Sequence, residues 1–336
     1  MRQARIVGER QAEVFDAPDP RPKDNWALVR VHVAPMCTEY KGWLSGGRHE
    51  HLGHEAVGEV VEVAQPGRVA VGDRVVVQPQ TPCGACRLCV AGDYIHCQQP
   101  VDLAQFTGSP YGRATMAQYL LKPDWLLSPI PEGVGYEAAS LAICALGPSF
   151  GAFDLMGVTA FDTVLVVGLG PVGLGAVVNA GYRGSRVIAV ESNPWRQAKA
   201  RSLGASLVLD PTDNDLLAKI REETDGAGVD ASLDCAGAAA AQRLVVDATR
   251  RKGRVAFVAA SYGETVFRVT PDLVEKGLTL HGAWHYNLNA YPRLMQVIQR
   301  APNAADLITH RFALEDIQTA FETLAGQQTG KVILLP

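Results

Sequence analysis

Short alternating runs of apolar and polar residues, punctuated by Gly and Pro, fill roughly the first 145 positions of the chain. Ala56 to Val63 and Asp73 to Val77 predict strands, broken at Pro66-Gly67 and at Gly72-Asp73. Strands this short and this frequent predict a partly open β-barrel rather than a parallel sheet. From Thr163 the pattern changes. Val164 to Val167 is a fully apolar run, followed by glycines and a helical stretch from Val172 to Tyr182. Arg186 to Val190, a helix from Pro194 to Leu203, and Ser206 to Leu209 come next, with further strands at Val229 to Leu233, Arg254 to Val258 and Leu278 to Leu280. Strands alternating with helical patterns indicate βαβ units, and six of them complete a doubly wound parallel sheet. After Trp284 a helix near Leu314 to Leu324 and a last strand, Lys331 to Leu335, are expected to return to the first domain. The expected organisation is therefore α/β: a barrel domain over residues 1–147, a dinucleotide domain over 148–284, and a return over 285–336. No internal repeat or low-complexity segment interrupts it.

The glycines after the first apolar run carry chemistry. Gly168-Leu169-Gly170-Pro171-Val172-Gly173 fits G-x-G-x-x-G, and it sits between a strand and a helix. In that place the glycines let the backbone approach a pyrophosphate, and the helix N-terminus attracts it. Glu191, at the end of the second strand, is the acid expected to accept the ribose hydroxyls. Its charge repels a 2′-phosphate, so NAD is favoured over NADP. Arg196 is a residue that stacks on adenine or partly rescues NADP use, or else a surface helix arginine.

Composition narrows the class. The chain has 336 residues, 47% hydrophobic and 20% charged, enough for two domains. A formal net charge of −4 offers no electrostatic reason to expect nucleic acid or an anionic membrane as partner. No apolar run approaches a membrane span and the N-terminus lacks a secretory apolar region, so a cytoplasmic location is expected. Seven cysteines in a reducing compartment then call for metal or catalysis before disulfides.

Four of them, Cys83, Cys86, Cys89 and Cys97, are spaced C-x2-C-x2-C-x7-C, with Gly84 and Gly92 supplying turns. Such thiolates converge on one Zn²⁺ and leave no open position, which defines a structural zinc within a lobe at about residues 80–100. Cys37, His54 and Cys144 form a second candidate set, with Glu55 beside it. Two thiolates and an imidazole leave one zinc position for water or an alcohol oxygen. A zinc with an open position lowers the pKa of an alcohol, and the alkoxide can pass hydride to a nearby nicotinamide.

In order along the chain, Cys37, Gly53-His54-Glu55, Val71-Gly72-Asp73-Arg74-Val75, the four-cysteine lobe, Cys144 and the glycine motif resemble the zinc-containing medium-chain dehydrogenase/reductase family. The resemblance covers nearly the whole chain. It implies a GroES-like catalytic domain wrapped around a Rossmann domain, with the active site in the cleft between them. It implies two zinc ions per subunit, NAD, a small secondary alcohol or polyol as substrate, and a homodimer or homotetramer. Carried over by position, Cys37, His54 and Cys144 match the catalytic zinc ligands, and Glu55 the acid that approaches the metal during ligand exchange. Polyol-oxidising relatives often place a glutamate where Cys144 stands.

Two departures follow from the same resemblance. The family reads Cys-Gly-Ser/Thr-Asp after the first ligand, whereas this chain reads Cys37-Thr38-Glu39, one residue shorter. Thr38 is matched to the hydroxyl that relays the alcohol proton and Glu39 to the acid after it. The segment from Cys37 to His54 is also short, and His49 and His51 are alternative relays within it. Trp43, Phe106 and Trp284 are candidate apolar pocket walls, with His285 a polar one. Two other readings stand beside the dehydrogenase: a zinc-independent reductase of the same superfamily, and a non-catalytic, metal-depleted NAD-binding homologue. Intact cysteines count against the first and the intact His54-Glu55 and Cys144 against the second.

Overall fold

The computed structural model describes residues 1–336. Its strands are β1 (Arg2–Gly8), β2 (Gln11–Asp16), β3 (Trp26–Pro35), β4 (Ala56–Val63), β5 (Arg74–Val77), β6 (Tyr119–Pro123) and β7 (Leu127–Pro129). Then follow β8 (Thr163–Val167), β9 (Arg186–Val190), β10 (Leu207–Leu209), β11 (Val229–Asp234), β12 (Thr249–Phe257) and β13 (Thr279–Gly282). The chain ends with β14 (Ile308–Ala313) and β15 (Lys331–Leu335). Two compact units result. One comprises Met1–Ile143, Asn287–Gln299 and Ile308–Pro336; the other comprises Cys144–Tyr286 and Arg300–Leu307. The division falls after Ile143, and a short stretch of the return, Arg300–Leu307, stays with the second unit.

In the first unit a β1–β2 hairpin accompanies a seven-stranded sheet ordered β14-β15-β3-β4-β5-β7, with β6 also paired to β3. Strand β3 has neighbours on both sides, β4, β6 and β15, and nearly every side chain along it is buried. Its ends are apolar, and through its middle valines alternate with Arg30, which is exposed, and His32, which is partly buried. Gly58 in β4 is required by the close approach of β3: a Cβ there would lie 2.0 Å from the Arg30 carbonyl oxygen. The core of this unit gathers Val29, Val31, Met36, Trp43, Met116, Phe321 and Val332, so the C-terminal return completes it.

The second unit is a parallel six-stranded sheet ordered β10-β9-β8-β11-β12-β13. Counted from its own first strand this is 3-2-1-4-5-6, the doubly wound order whose reversal next to β8 opens a crevice at the carboxyl ends of the strands. The helix Pro171–Tyr182 packs into that sheet and is buried from Gly173 to Ala180. Its neighbour Pro194–Ser202 starts at Asn193, whose side chain accepts from the N–H groups of Trp195 and Arg196. No helix is long and apolar enough to cross a membrane.

Candidate metal centres and nucleotide site

The four-cysteine lobe folds around its own sulfurs. Left-handed Gly84 and Gly92, at φ 75° and 86°, turn the chain so that the sulfurs converge. The Sγ separations are 3.9 Å for Cys83–Cys89, 3.4 Å for Cys86–Cys89, 4.0 Å for Cys86–Cys97 and 3.6 Å for Cys83–Cys97. A zinc tetrahedron with Zn–S bonds of about 2.3 Å has edges of about 3.8 Å. The donor set therefore fits zinc in both chemistry and spacing, and no disulfide joins the cysteines. Backbone N–H groups of Ala85 and Cys86 hold the Cys83 thiol down to about 6, while burial and its sulfur neighbours push Cys89 up to about 12. Four such sulfurs cannot all ionise without a cation among them. Tyr94, Ile95 and Leu126 form the apolar floor of the lobe, and Asn287 closes its edge by donating to the Ala91 carbonyl and the Asp93 carboxylate.

The second set also assembles. Ligand atoms of Cys37, His54, Glu55 and Cys144 all lie within 4.8 Å of one another. Cys37 follows the end of β3, His54 and Glu55 precede β4, and Cys144 is one peptide bond past Ile143. His54 Nδ1 lies 2.8 Å from Glu39 Oε1, and the other Glu39 oxygen accepts the Cys37 N–H at 2.8 Å. Glu39 thus orients both a ligand side chain and the backbone of another, the arrangement that fixes which imidazole nitrogen faces a metal. Burial works against charge on His54, but hydrogen bonds to Cys37 and Glu39 outweigh it and carry its pKa up to about 11. Burial pushes Glu55 up to about 7, against the pull of Lys331, whose Nζ lies 2.5 Å from Glu55 Oε1.

Other residues of this region are placed as follows. Thr38 is exposed at the N-cap of the helix Glu39–Ser45 and its hydroxyl makes no cap bond. His49 is exposed and pairs through its backbone with Ile6, while the His51 ring meets Tyr111 edge-on. One expected pocket wall is corrected. Trp43 is core, 2% exposed and stacked on Phe321, and Phe106 packs on Trp26. The Trp43 ring is consumed by packing within its own unit, whereas the Phe106 ring stays partly exposed. Trp284 is half-exposed and His285 buried.

At the nucleotide site Gly168 has φ +88°, and a Cβ on it would lie 2.8 Å from the Ala236 nitrogen. Gly173 allows the helix to close on the Gly168 carbonyl, whereas Gly170 faces open space. Pro171 occupies the first helical turn, and Gly170 brings no side chain to cap it, so the N–H groups around Val172 are left for an anion. Glu191 Oε2 accepts the Leu169 N–H at 2.7 Å and Oε1 the Asn193 N–H at 2.9 Å. The acid therefore ties the glycine turn to the start of the next helix. Arg196 lies on that helix, and its Nε is buried without an acceptor. Open backbone at Gly170, an uncapped helix and an acid beneath the turn fit a dinucleotide.

Sequence reasoning passed over two groups. Asp234 closes the turn after β11 by accepting from the Ala236 and Gly237 N–H groups, in the turn that backs Gly168. Lys331 read only as the start of a strand. A lysine opening an otherwise apolar run was the available signal.

Family comparisons agree with this geometry. The family described as alcohol dehydrogenase GroES-like domain matches residues 23–132, and that described as zinc-binding dehydrogenase matches residues 171–300. An L-threonine 3-dehydrogenase of Pseudoalteromonas atlantica is 31% identical over 350 residues, covering 98% of both chains. Among solved structures, the alcohol dehydrogenase TADH from Thermus sp. ATN1 aligns over all of both chains with TM-score 0.90 and 26% identity. The 2R,3R-butanediol dehydrogenase from Bacillus subtilis aligns over 100% of this chain and 99% of its own, with TM-score 0.86 and 25% identity. The chain belongs to the zinc-type medium-chain alcohol dehydrogenase family. It is an oxidoreductase of the class that acts on CH–OH groups.

Proposed function

We propose that this protein oxidises a small secondary alcohol or polyol to the ketone or aldehyde with NAD, using one structural and one catalytic zinc per subunit. The observation that carries the reading is the convergence of Cys37, His54 and Cys144, with Glu55 behind them, within 4.8 Å. Zinc bound there would supply Lewis acidity, lowering the pKa of the substrate hydroxyl, and NAD would supply the hydride acceptor. The chain's own part is positioning. Glu39 holds His54 with Nε2 toward the ligand cluster, and Lys331 holds Glu55. Thr38, exposed beside Cys37, takes the hydroxyl proton and passes it to solvent. Glu191 reads the ribose hydroxyls and disfavours a 2′-phosphate, while the N–H groups after Gly170 hold the pyrophosphate.

Threonine and butanediol, named in the matched proteins, each present a secondary hydroxyl next to a carbon bearing a second polar group. That class is the first to try. The partner proposed is thus a small-molecule alcohol, and the family expectation of a homodimer or homotetramer is tested by sedimentation. The decisive experiment counts zinc in protein purified without added metal, then follows reduced nicotinamide across a panel of diols, amino alcohols and simple secondary alcohols. Two zinc ions with NAD-linked turnover support the proposal. One zinc ion and no turnover would favour the metal-depleted reading.

A further inference from the structure

Lys331 and Glu55 are 276 positions apart, and both side chains are fully buried. The lysine Nζ lies 2.5 Å from Glu55 Oε1. That same oxygen is 3.9 Å from His54 Nε2. A carboxylate so close to three metal ligands is itself the nearest candidate for a fourth. If it bound, the tetrahedron would close and no position would remain for an alcohol. What opposes this is a second cation already seated on the oxygen that faces the cluster. The lysine backbone cannot easily drift, because β15 is tied on both sides. It pairs with β14 from Lys331 onward, and Ile333 and Leu334 pair with Pro35 and Ala34 at the end of β3. The Val332 carbonyl also accepts the Met36 N–H, one residue before Cys37.

We propose that Lys331 is a positioning residue that competes with the catalytic metal for Glu55 Oε1 and thereby keeps the fourth metal position open to substrate. The inference rests on reading Cys37, His54 and Cys144 as metal ligands. Glu55 and Lys331 then work as a latch. With the ammonium in place the carboxylate is neutralised away from the metal; without it, a buried anion has the metal as its nearest compensating charge.

The test uses full-length protein with cobalt(II) in the catalytic site and imidazole as the probe of the open position, read from the visible ligand-field bands. In the native sequence imidazole should shift these bands saturably. In Lys331→Met the bands should already differ before imidazole is added, and imidazole should bind at least ~10-fold more weakly. The double variant Lys331→Met with Glu55→Gln should recover the native response, since the competing anion is gone. A lysine that merely supports packing would lower thermal stability without moving these bands. If Lys331→Met does not fold, Lys331→Gln keeps a donor, removes the charge, and should give the same loss. A native imidazole response in the single variants, or no recovery in the double variant, overturns the latch. Absence of any response in the native protein overturns the metal reading, and the latch with it.

Discussion

Glu39 lies 2.8 Å from His54 through one carboxylate oxygen and accepts the Cys37 N–H through the other, so a single acid sets the posture of two residues of the metal cluster. The two residues come from separate segments, one after β3 and one before β4. Glu39 itself is the second residue after Cys37, at the start of a short helix. Its reach to His54 depends on that helix and on the length of its side chain.

Removing this carboxylate should loosen the metal without touching the cysteine lobe. Glu39→Ala is expected to weaken zinc at the Cys37–His54–Cys144 site by about 10–100-fold, the usual effect of losing a partner that orients a ligand. Chelator competition measures it. Unchanged affinity would show that His54 is oriented by something else.

The cysteine lobe should behave as a separate metal centre. Cys89, the most buried of its four sulfurs, sits on Tyr94 and Leu126. Cys89→Ser is expected to lower zinc content by one ion per chain and to lower the melting temperature, because metal binding there is folding free energy. Elemental analysis and thermal melts read both. A normal melting temperature with the ion lost would mean that apolar packing alone orders the lobe.

Glu191 has two duties, which a variant should separate. Glu191→Gln keeps an acceptor for the Leu169 or Asn193 N–H but loses the charge. NAD affinity should fall by about 10-fold, or roughly 1.4 kcal/mol, while NADP affinity falls less or rises. Titrations with both cofactors decide it, and an equal loss for both would remove Glu191 from ribose recognition.

Lys122 offers a pH signature remote from the proposed catalytic metal. Its burial brings the pKa down to about 7, and its Nζ is 2.5 Å from the Gln80 carbonyl. In the unfolded chain the amine titrates near ~10.4. Between those values the unfolded state binds more protons than the folded one, so this residue makes stability rise with pH from about 7 toward about 10. Below about 7 both states are protonated and its contribution is flat. Denaturant melts of the native protein and Lys122→Met across this range should diverge with rising pH. Parallel curves would show that the amine stays charged in the folded protein.

Much of the fold was legible along the chain. Strand β9 and strand β15 have the limits expected for them, and the helix after the glycine turn starts one residue early, at Pro171, where a missing N–H costs nothing. Aromatic residues were less readable. Trp43 and Phe106 looked alike as candidate pocket walls, yet Phe321, far away in sequence, covers the first, while the second stays partly exposed beside Trp26.

What the sequence alone determined is what short spacing can enforce. Cysteines two residues apart on a glycine turn must share a neighbourhood, and a glycine-rich turn between strand and helix must expose N–H groups. Alternating strand and helix patterns, with right-handed crossovers, leave few sheet orders open. Only the tertiary structure decided which distant partners share a buried charge. Lys331 meets Glu55 because β15 pairs with the end of β3, and the pair persists because neither group has water to turn to instead. Such contacts depend on packing and desolvation across the whole core, which no local pattern of residues encodes.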